Sequence, residues 1–204
     1  MKKLKIALIL MSCSVFNPIL VHPAKAGVFN IPEFVDPGNW AVGLEPEATF
    51  NSGGSFSTNL KFTYGLAPIS NLQFGIGEGS GNRGFRIGGT YTFDFIPDLK
   101  GQIGAGIALQ LYYYKIQSGL SQTEASIYPY LHKAFENGGW VTSYDPYVAL
   151  PLGIGFVSGT YHSLLQLVLG SAFRTSQYFS LNGELGINLS NTDTYIAGGI
   201  TYRN

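Results

Sequence analysis

Charged residues are scarce in this sequence. Only 12% of its 204 residues are Asp, Glu, Lys or Arg, about half the share found in an ordinary soluble domain. Glycine and aromatic residues are abundant instead, with 27 Gly, 13 Tyr and 14 Phe. This composition argues against a disordered chain, a coiled coil and a nucleic-acid-binding protein.

Cysteine and long apolar runs are also missing from most of the chain. The single cysteine is Cys13, and no segment after residue 26 offers roughly 18 consecutive apolar residues. Spanning helices, disulfides and catalytic thiols are therefore excluded beyond residue 26. His132 and His162 lie far apart and lack the spacing of metal ligands, so neither a metal nor a cofactor is predicted.

The first 26 residues have the pattern of a secretory signal peptide. A basic start with Lys2, Lys3 and Lys5 precedes an apolar run, and the small-x-small sequence 24–26 predicts cleavage after residue 26. A lipoprotein cleavage box around Cys13 is the weaker alternative. Cleavage after residue 26 also removes a fourth lysine and no acid, so eight basic residues remain against twelve acidic ones, a formal charge of −4.

Apolar and polar residues alternate with a period of two from residue 39 onward, which is typical of strands with two different faces. The ninth of ten such stretches is the clearest. One parity carries Phe179, Leu181, Leu185, Ile187 and Leu189, and the other carries Ser180, Asn182, Glu184, Gly186 and Asn188. We therefore expect an all-β domain over residues 39–204 after an irregular segment over residues 27–38. Eight strands are the alternative, if the region around residues 136–146 is extramembrane.

The composition of the two faces indicates which one meets water. The polar face is rich in Gly, Ala and Ser and poor in Lys and Glu, unlike a solvated face. The apolar face has aliphatic residues in the middle and aromatic residues at both ends, as expected for contact with lipid. The predicted interface aromatics are Trp40, Phe50, Phe56, Tyr64, Phe85, Phe93, Phe95, Tyr113, Phe135, Tyr144, Phe156, Phe173, Phe179 and Tyr202.

A sheet in hydrocarbon must close on itself, because each unpaired edge group costs several kcal/mol there. The predicted fold is a closed, antiparallel, up-and-down transmembrane β-barrel of ten strands, with both chain ends on one side. Its polar face then lines the lumen. The predicted lumen-lining residues are Glu45, Glu47, Lys61, Arg86, Glu124, His132, Arg174 and Glu184.

The chain resembles the small outer-membrane β-barrel proteins of Gram-negative bacteria. The resemblance rests on the signal peptide, the two-residue alternation, the aromatic residues at both ends of the strands and the terminal strand. In the terminal strand, Gly199 and Tyr202 have the spacing that the barrel-assembly machinery recognises, although Asn204 replaces the usual final aromatic residue. The resemblance implies a location in the bacterial outer membrane and contact with outer-membrane lipid. It also implies the barrel-assembly machinery as a partner during biogenesis.

The inward charges have two interpretations. They line a path or binding site for small solutes, or they form an internal ion-pair network that fills the barrel. The sequence thus predicts a porin-like, non-enzymatic outer-membrane protein that is structural, or that passes or binds small solutes in a narrow, Gly-rich lumen.

Two alternatives stay open at this point. One is a soluble exported β-barrel that binds a small apolar ligand inside an apolar core. The other is an outer-membrane hydrolase, for which His162 and Asp193 could meet at the outer rim. No catalytic residue is predicted, because no nucleophile, base and orienting group are visibly brought together.

Overall fold

The computed structural model of the protein describes residues 34–50, 54–80, 84–115 and 119–204. The predicted signal peptide lies outside these residues. The strands in the described part are β1 Trp40–Thr49, β2 Ser55–Ala67, β3 Ser70–Gly79, β4 Arg86–Ile96, β5 Gly104–Lys115, β6 Ser121–His132, β7 Phe135–Glu136, β8 Ser143–Ala149, β9 Leu152–Val157, β10 Thr160–Arg174, β11 Phe179–Ser190 and β12 Tyr195–Arg203. Within these ranges, no helix has the length and apolar character needed to cross a membrane.

The strands form one antiparallel sheet that closes on itself. β12 pairs with β1, with a register that runs from Ala41 opposite Arg203 to Thr49 opposite Tyr195. β8 and β9 are two halves of one wall strand, because both pair with β6 on one side and with β10 on the other. The wall therefore has ten strands, as predicted, and the eight-strand alternative is wrong. β7 is a two-residue addition to β8.

The break between β8 and β9 has a local cause in two prolines. The Leu150 N–H donates to the Pro129 carbonyl at 3.0 Å, and the Gln166 N–H donates to the Pro151 carbonyl at 3.2 Å. The reciprocal bonds of these antiparallel pairs cannot form, because proline has no N–H. The wall therefore lacks one ladder bond on each side of this strand.

The apolar side chains point out of the barrel and the polar ones point in, as the composition of the two faces predicts. On the outside, Leu60 is 49% exposed and Leu185 is 38% exposed, whereas Glu45 and Glu47 on the inside are 1% exposed. The strands thus present an apolar outer surface over the whole circumference.

Aromatic side chains gather at both ends of this outer surface. At the lower end, where β1 begins and β12 ends, Trp40 stacks on Phe62 and meets Tyr202 at a ring-centroid distance of 5.9 Å. At the upper end, the rings of Phe156 and Tyr161 are 4.9 Å apart. Of the predicted interface aromatics, Trp40 and Phe93 are half-buried and the others are exposed.

Residues 34–39 fold against the lower mouth of the barrel. Val35 is 4% exposed, and its N–H donates to Asn71 Oδ1 at 3.2 Å. The Gly38 N–H donates to the Gly65 carbonyl at 2.9 Å. Position 65 requires glycine here, since a Cβ atom would overlap with the backbone oxygens of Val35 and Asp36.

Candidate functional site

Tyrosine rings and glycines fill much of the barrel interior together. Six tyrosines have buried side chains, namely Tyr112, Tyr114, Tyr128, Tyr130, Tyr147 and Tyr195. Four of them stand directly opposite a glycine on the neighbouring strand, in the pairs Gly88–Tyr112, Gly106–Tyr130, Gly170–Tyr147 and Gly186–Tyr195. In each pair, a Cβ atom on the glycine would overlap with the tyrosine ring. The glycines of the lumen therefore make room for rings.

Two ion pairs lie in the middle of the interior. Lys61 on β2 pairs with Glu45 on β1. Arg86 on β4 pairs with Glu47 on β1, with 3.2 Å between Nη2 and Oε2. Because β2 and β3 separate β4 from β1 in the wall, the Arg86 side chain reaches across part of the lumen.

Glu184 on β11 is held by two tyrosines. The hydroxyls of Tyr147 and Tyr195 donate to its two carboxylate oxygens. Lys61 and Glu45 are close enough to interact with it electrostatically. The hydrogen bonds and the neighbouring cation compensate this carboxylate for the loss of water.

A chain of amides and hydroxyls continues the network along β4, β5 and β6. The Tyr128 hydroxyl donates to Gln110 Oε1 at 2.5 Å, and Gln110 Nε2 donates to Thr90 Oγ1 at 3.2 Å. Nearer the upper end, Gln122 Nε2 donates to Glu124 Oε1 at 2.6 Å.

A second charged cluster lies near the lower end and joins three strands. His132 Nδ1 is 3.2 Å from both carboxylate oxygens of Asp145, and its Nε2 is 3.0 Å from Asp94 Oδ2. The Tyr130 hydroxyl donates to Asp94 Oδ1 at 2.5 Å. A ring nitrogen that faces a carboxylate donates its N–H, so both nitrogens of His132 are engaged as donors.

A small cavity of about 50 Å³ remains between the central ion pairs and Val35; we call it the lower cavity. Its lining includes Lys61, Arg203, Asn71 and Asn182. The lining side chains come from strands on both sides of β1, so the cavity lies inside the barrel and not in its wall.

The interior also contains an apolar patch, in which the inward positions of Ala108, Ala149 and Val168 were not predicted from the sequence. Ala108, Tyr128, Tyr130, Tyr147, Ala149 and Val168 form one buried cluster. Leu164 is likewise buried. The run of apolar residues in β10 concealed Leu164 and Val168, because adjacent leucines and valines there belong to opposite faces.

The structure places seven of the eight predicted lumen residues in buried positions, namely Glu45, Glu47, Lys61, Arg86, Glu124, His132 and Glu184. Arg174 differs, since it lies at the end of β10 with an exposed side chain. Sequence reasoning did not single out Arg203, which is buried. The alternation could have indicated this, because Arg203 directly follows Tyr202, whose side chain points out of the barrel.

Similar proteins are found by structure only. No protein-family model matches the chain, and no curated protein matches it. A crystal structure of an outer membrane channel from Pseudomonas putida F1 is 9% identical, with a TM-score of 0.52, and the match covers 87% of this chain and 100% of that one. The beta domain of the Bordetella autotransporter BrkA is 12% identical, with a TM-score of 0.52, over 83% of this chain and 100% of that one. The chain therefore has the fold of bacterial outer-membrane β-barrels.

Proposed function

We propose that this chain is a non-enzymatic integral protein of the bacterial outer membrane whose lumen is closed by its own side chains. In that role it does not conduct solutes freely. The observation that carries the proposal is the Glu47–Arg86 ion pair, which reaches across part of the interior of a barrel with an apolar outer surface.

The outer surface supports a membrane location. Large apolar side chains such as Leu60, Leu185 and Ile154 are exposed around the wall, and aromatic rings gather at both ends, as in lipid-facing barrels. A soluble barrel would bury these side chains, so the soluble alternative with an apolar interior is not supported.

The interior supports closure. Buried charges are tolerated when they are paired and hydrogen-bonded, and Lys61, Arg86 and Glu184 each have such a partner. One protein of similar fold is a channel. In this chain, the rings that pack over Gly88 and Gly170 occupy the space that a channel would leave open.

The surroundings of the two histidines support a role without hydrolysis. A general base needs a ring nitrogen free to accept a proton, and both nitrogens of His132 already face carboxylates. His162 forms no ion pair with Asp193 within the described ranges.

Membrane extraction and bilayer recording test the proposal. The chain is expressed with its own N-terminus in a Gram-negative host, extracted from membranes and inserted into planar bilayers. We expect extraction to require detergent, migration on a gel to change on heating, and the bilayer current to show no steps. A monodisperse protein without detergent would overturn the membrane location, and steady steps would overturn the closed lumen.

A double variant provides the positive control for the recording. Arg86→Ala with Tyr112→Ala removes two side chains that pack over Gly75, Gly77 and Gly88. We expect this variant to give steps under conditions in which the parent chain gives none.

A further inference from the structure

The line along which β6 meets β8, which we call the β6–β8 seam, lacks a backbone hydrogen bond at each of its ends. At the upper end the Leu150 N–H donates to the Pro129 carbonyl at 3.0 Å, and at the lower end the Lys133 N–H donates to the Pro146 carbonyl at 3.2 Å. Neither proline has an N–H with which to return the bond. Between these two points, residues 130–132 of β6 pair with β8. The β6–β8 seam is therefore held by fewer backbone bonds than a regular antiparallel pair of the same length.

A pair of charged side chains bridges the β6–β8 seam near its lower end. His132 on β6 has its Nδ1 at 3.2 Å from both carboxylate oxygens of Asp145 on β8. A hydrogen bond that involves a charged group is roughly twice as strong as one between neutral groups. The His132–Asp145 pair therefore compensates for part of the backbone bonding that the prolines remove.

Each side of the β6–β8 seam is attached to its other neighbour. At the lower end of β6, His132 Nε2 lies 3.0 Å from Asp94 Oδ2 on β4. Lys133 Nζ donates to the carbonyls of Leu99 and Gln102, in the loop after β4, at 2.8 and 2.7 Å. On the other side, β8 pairs with β10 along its whole length. The seam is therefore the line along which two attached halves of the wall can separate.

The side chains behind the β6–β8 seam are apolar or aromatic. Ala149 of β8 faces the interior between Tyr130 of β6 and Val168 of β10, which stand directly opposite it on the two neighbouring strands. All three belong to the apolar patch. A molecule that passes through the seam therefore meets rings and methyl groups, whereas the ion-paired carboxylates of Glu45 and Glu47 lie on β1.

The outer side of the β6–β8 seam is apolar as well. Leu131 of β6 and Val148 of β8 stand opposite each other, and both are exposed on the outer surface. Above them, the outer surface has a shallow depression whose lining includes Ala125, Ile127 and Leu152. Apolar groups thus lie on both sides of the wall at the seam.

We propose that the barrel opens sideways along the β6–β8 seam and admits the acyl chain of a membrane lipid to the apolar patch. The His132–Asp145 pair holds the seam shut in the closed barrel. An acyl chain suits this path, because a polar solute would lose its water there without gaining polar partners. Because it requires lipid around the barrel, the opening rests on the proposed function. It leaves the barrel closed from end to end, because the Glu47–Arg86 pair is not part of the seam.

Cysteine labelling tests the opening. The chain has no cysteine after Cys13, so Ala149→Cys and Thr90→Cys each place a single thiol inside a barrel that is made from residue 27 onward. Thr90 is also buried but lies on β4, and neither β4 nor its neighbours β3 and β5 contain proline. Each variant in lipid vesicles is treated with N-dodecylmaleimide, which dissolves in the bilayer, and with a charged maleimide, which stays in water.

We expect N-dodecylmaleimide to label the Ala149→Cys variant about tenfold faster than the Thr90→Cys variant, since two missing backbone bonds correspond to about one power of ten in the opening equilibrium. Rates are divided by those of the same variants unfolded in urea, which corrects for differences in thiol reactivity. The charged maleimide should label the Ala149→Cys variant more slowly than N-dodecylmaleimide does. Equal rates for the two variants would overturn the opening. Faster labelling by the charged reagent would indicate a path from water and overturn entry from the lipid.

Two further changes in the Ala149→Cys variant test the charged pair. Asp145→Asn removes the carboxylate charge, and we expect about tenfold faster labelling, whereas Asp36→Asn at an exposed position should leave the rate unchanged. Pro129→Val returns an N–H to the seam, and we expect slower labelling. Heat-modifiable migration on a gel checks that each variant is folded, so Pro129→Val decides the question if Asp145→Asn fails to fold. An equally large effect of Asp145→Asn in the Thr90→Cys variant would indicate a general loss of stability and overturn the role of the pair.

The outcome also separates the opening from the proposed function. If N-dodecylmaleimide does not label the Ala149→Cys variant and the chain still requires detergent, the opening is overturned and the membrane location stays intact. A chain that is monodisperse without detergent would overturn the membrane location and the opening with it.

Discussion

Gly88 on β4 stands directly opposite Tyr112 on β5, and the tyrosine ring occupies the volume where a side chain at position 88 would lie. The Tyr112 hydroxyl reaches on toward Gly75 of β3. One ring thus lies over glycines of two neighbouring strands. The pairing explains why a lumen rich in glycine is nevertheless filled.

Gly88→Val tests this packing. A larger side chain must displace the Tyr112 ring, and such overpacking costs about 1–3 kcal/mol. We expect the urea midpoint of the refolded protein to fall accordingly. Gly183→Ala is the matched control, because a Cβ atom there has no neighbour within 4 Å. The urea midpoint of this variant should be unchanged or slightly higher. If Gly88→Val is as stable as the parent, the ring does not depend on the glycine.

Glu47→Gln tests the ion pair that reaches across part of the interior. Removing one partner of a buried pair leaves an uncompensated charge and costs about 3–5 kcal/mol. The charge of Arg86 loses its partner in this variant, so the free energy of unfolding should fall by about that amount. Adding Arg86→Gln should restore part of the loss. The same change at an exposed position, Glu78→Gln, should shift the unfolding free energy by no more than about 0.5 kcal/mol. Equal effects at positions 47 and 78 would contradict the pairing.

Leu185→Arg tests whether the outer surface meets lipid. Leu185 lies in the middle of β11, next to Ile196 of β12 and Leu169 of β10. An arginine at the bilayer midplane costs about 2–4 kcal/mol and one near the interface about 0–1 kcal/mol. Unfolding in lipid vesicles should therefore show a large loss for Leu185→Arg and a small one for Phe50→Arg at the strand end. Equal small losses would indicate a surface in water.

Pro129→Val is expected to stabilise the wall. Valine restores an N–H that can donate to the Leu150 carbonyl and complete the pair between β6 and β8. A net hydrogen bond contributes about 0.5–1.5 kcal/mol, and a β-branched side chain suits a strand. Hydrogen exchange should slow at Leu150 and Leu131. Unchanged exchange there would show that the proline does not limit the stability of this part of the wall.

The alternation of side chains predicts most of the fold, because it reports directly which residues face lipid. Phe179 to Leu189 illustrate this, since their parity matches the outward face of β11. The need to close the sheet then yields the barrel. The orientation of the side chains in β10 was harder to predict, because Val168 faces the interior while Leu167 and Leu169, which are also apolar, do not.

The interior contacts could not be predicted, because they depend on the register between strands. Asp94, His132 and Asp145 lie on three separate strands, and no local pattern indicates that they meet. The same holds for Tyr147 and Tyr195, which converge on Glu184. Sequence reasoning identified the charged groups and left open whether they line a path or pair with each other. The register between the strands decides which of them lie close enough to pair.

The seam between β1 and β12 has a consequence for biogenesis. These strands come from opposite ends of the described chain, yet Ala41 must meet Arg203 before the ring is complete. Until then, a growing or truncated polypeptide is an open ribbon with two bare edges, which are prone to join with other strands. Pairing of such distant segments is also slow. A nascent copy therefore exposes both edges, and stays prone to aggregation, until β12 reaches β1.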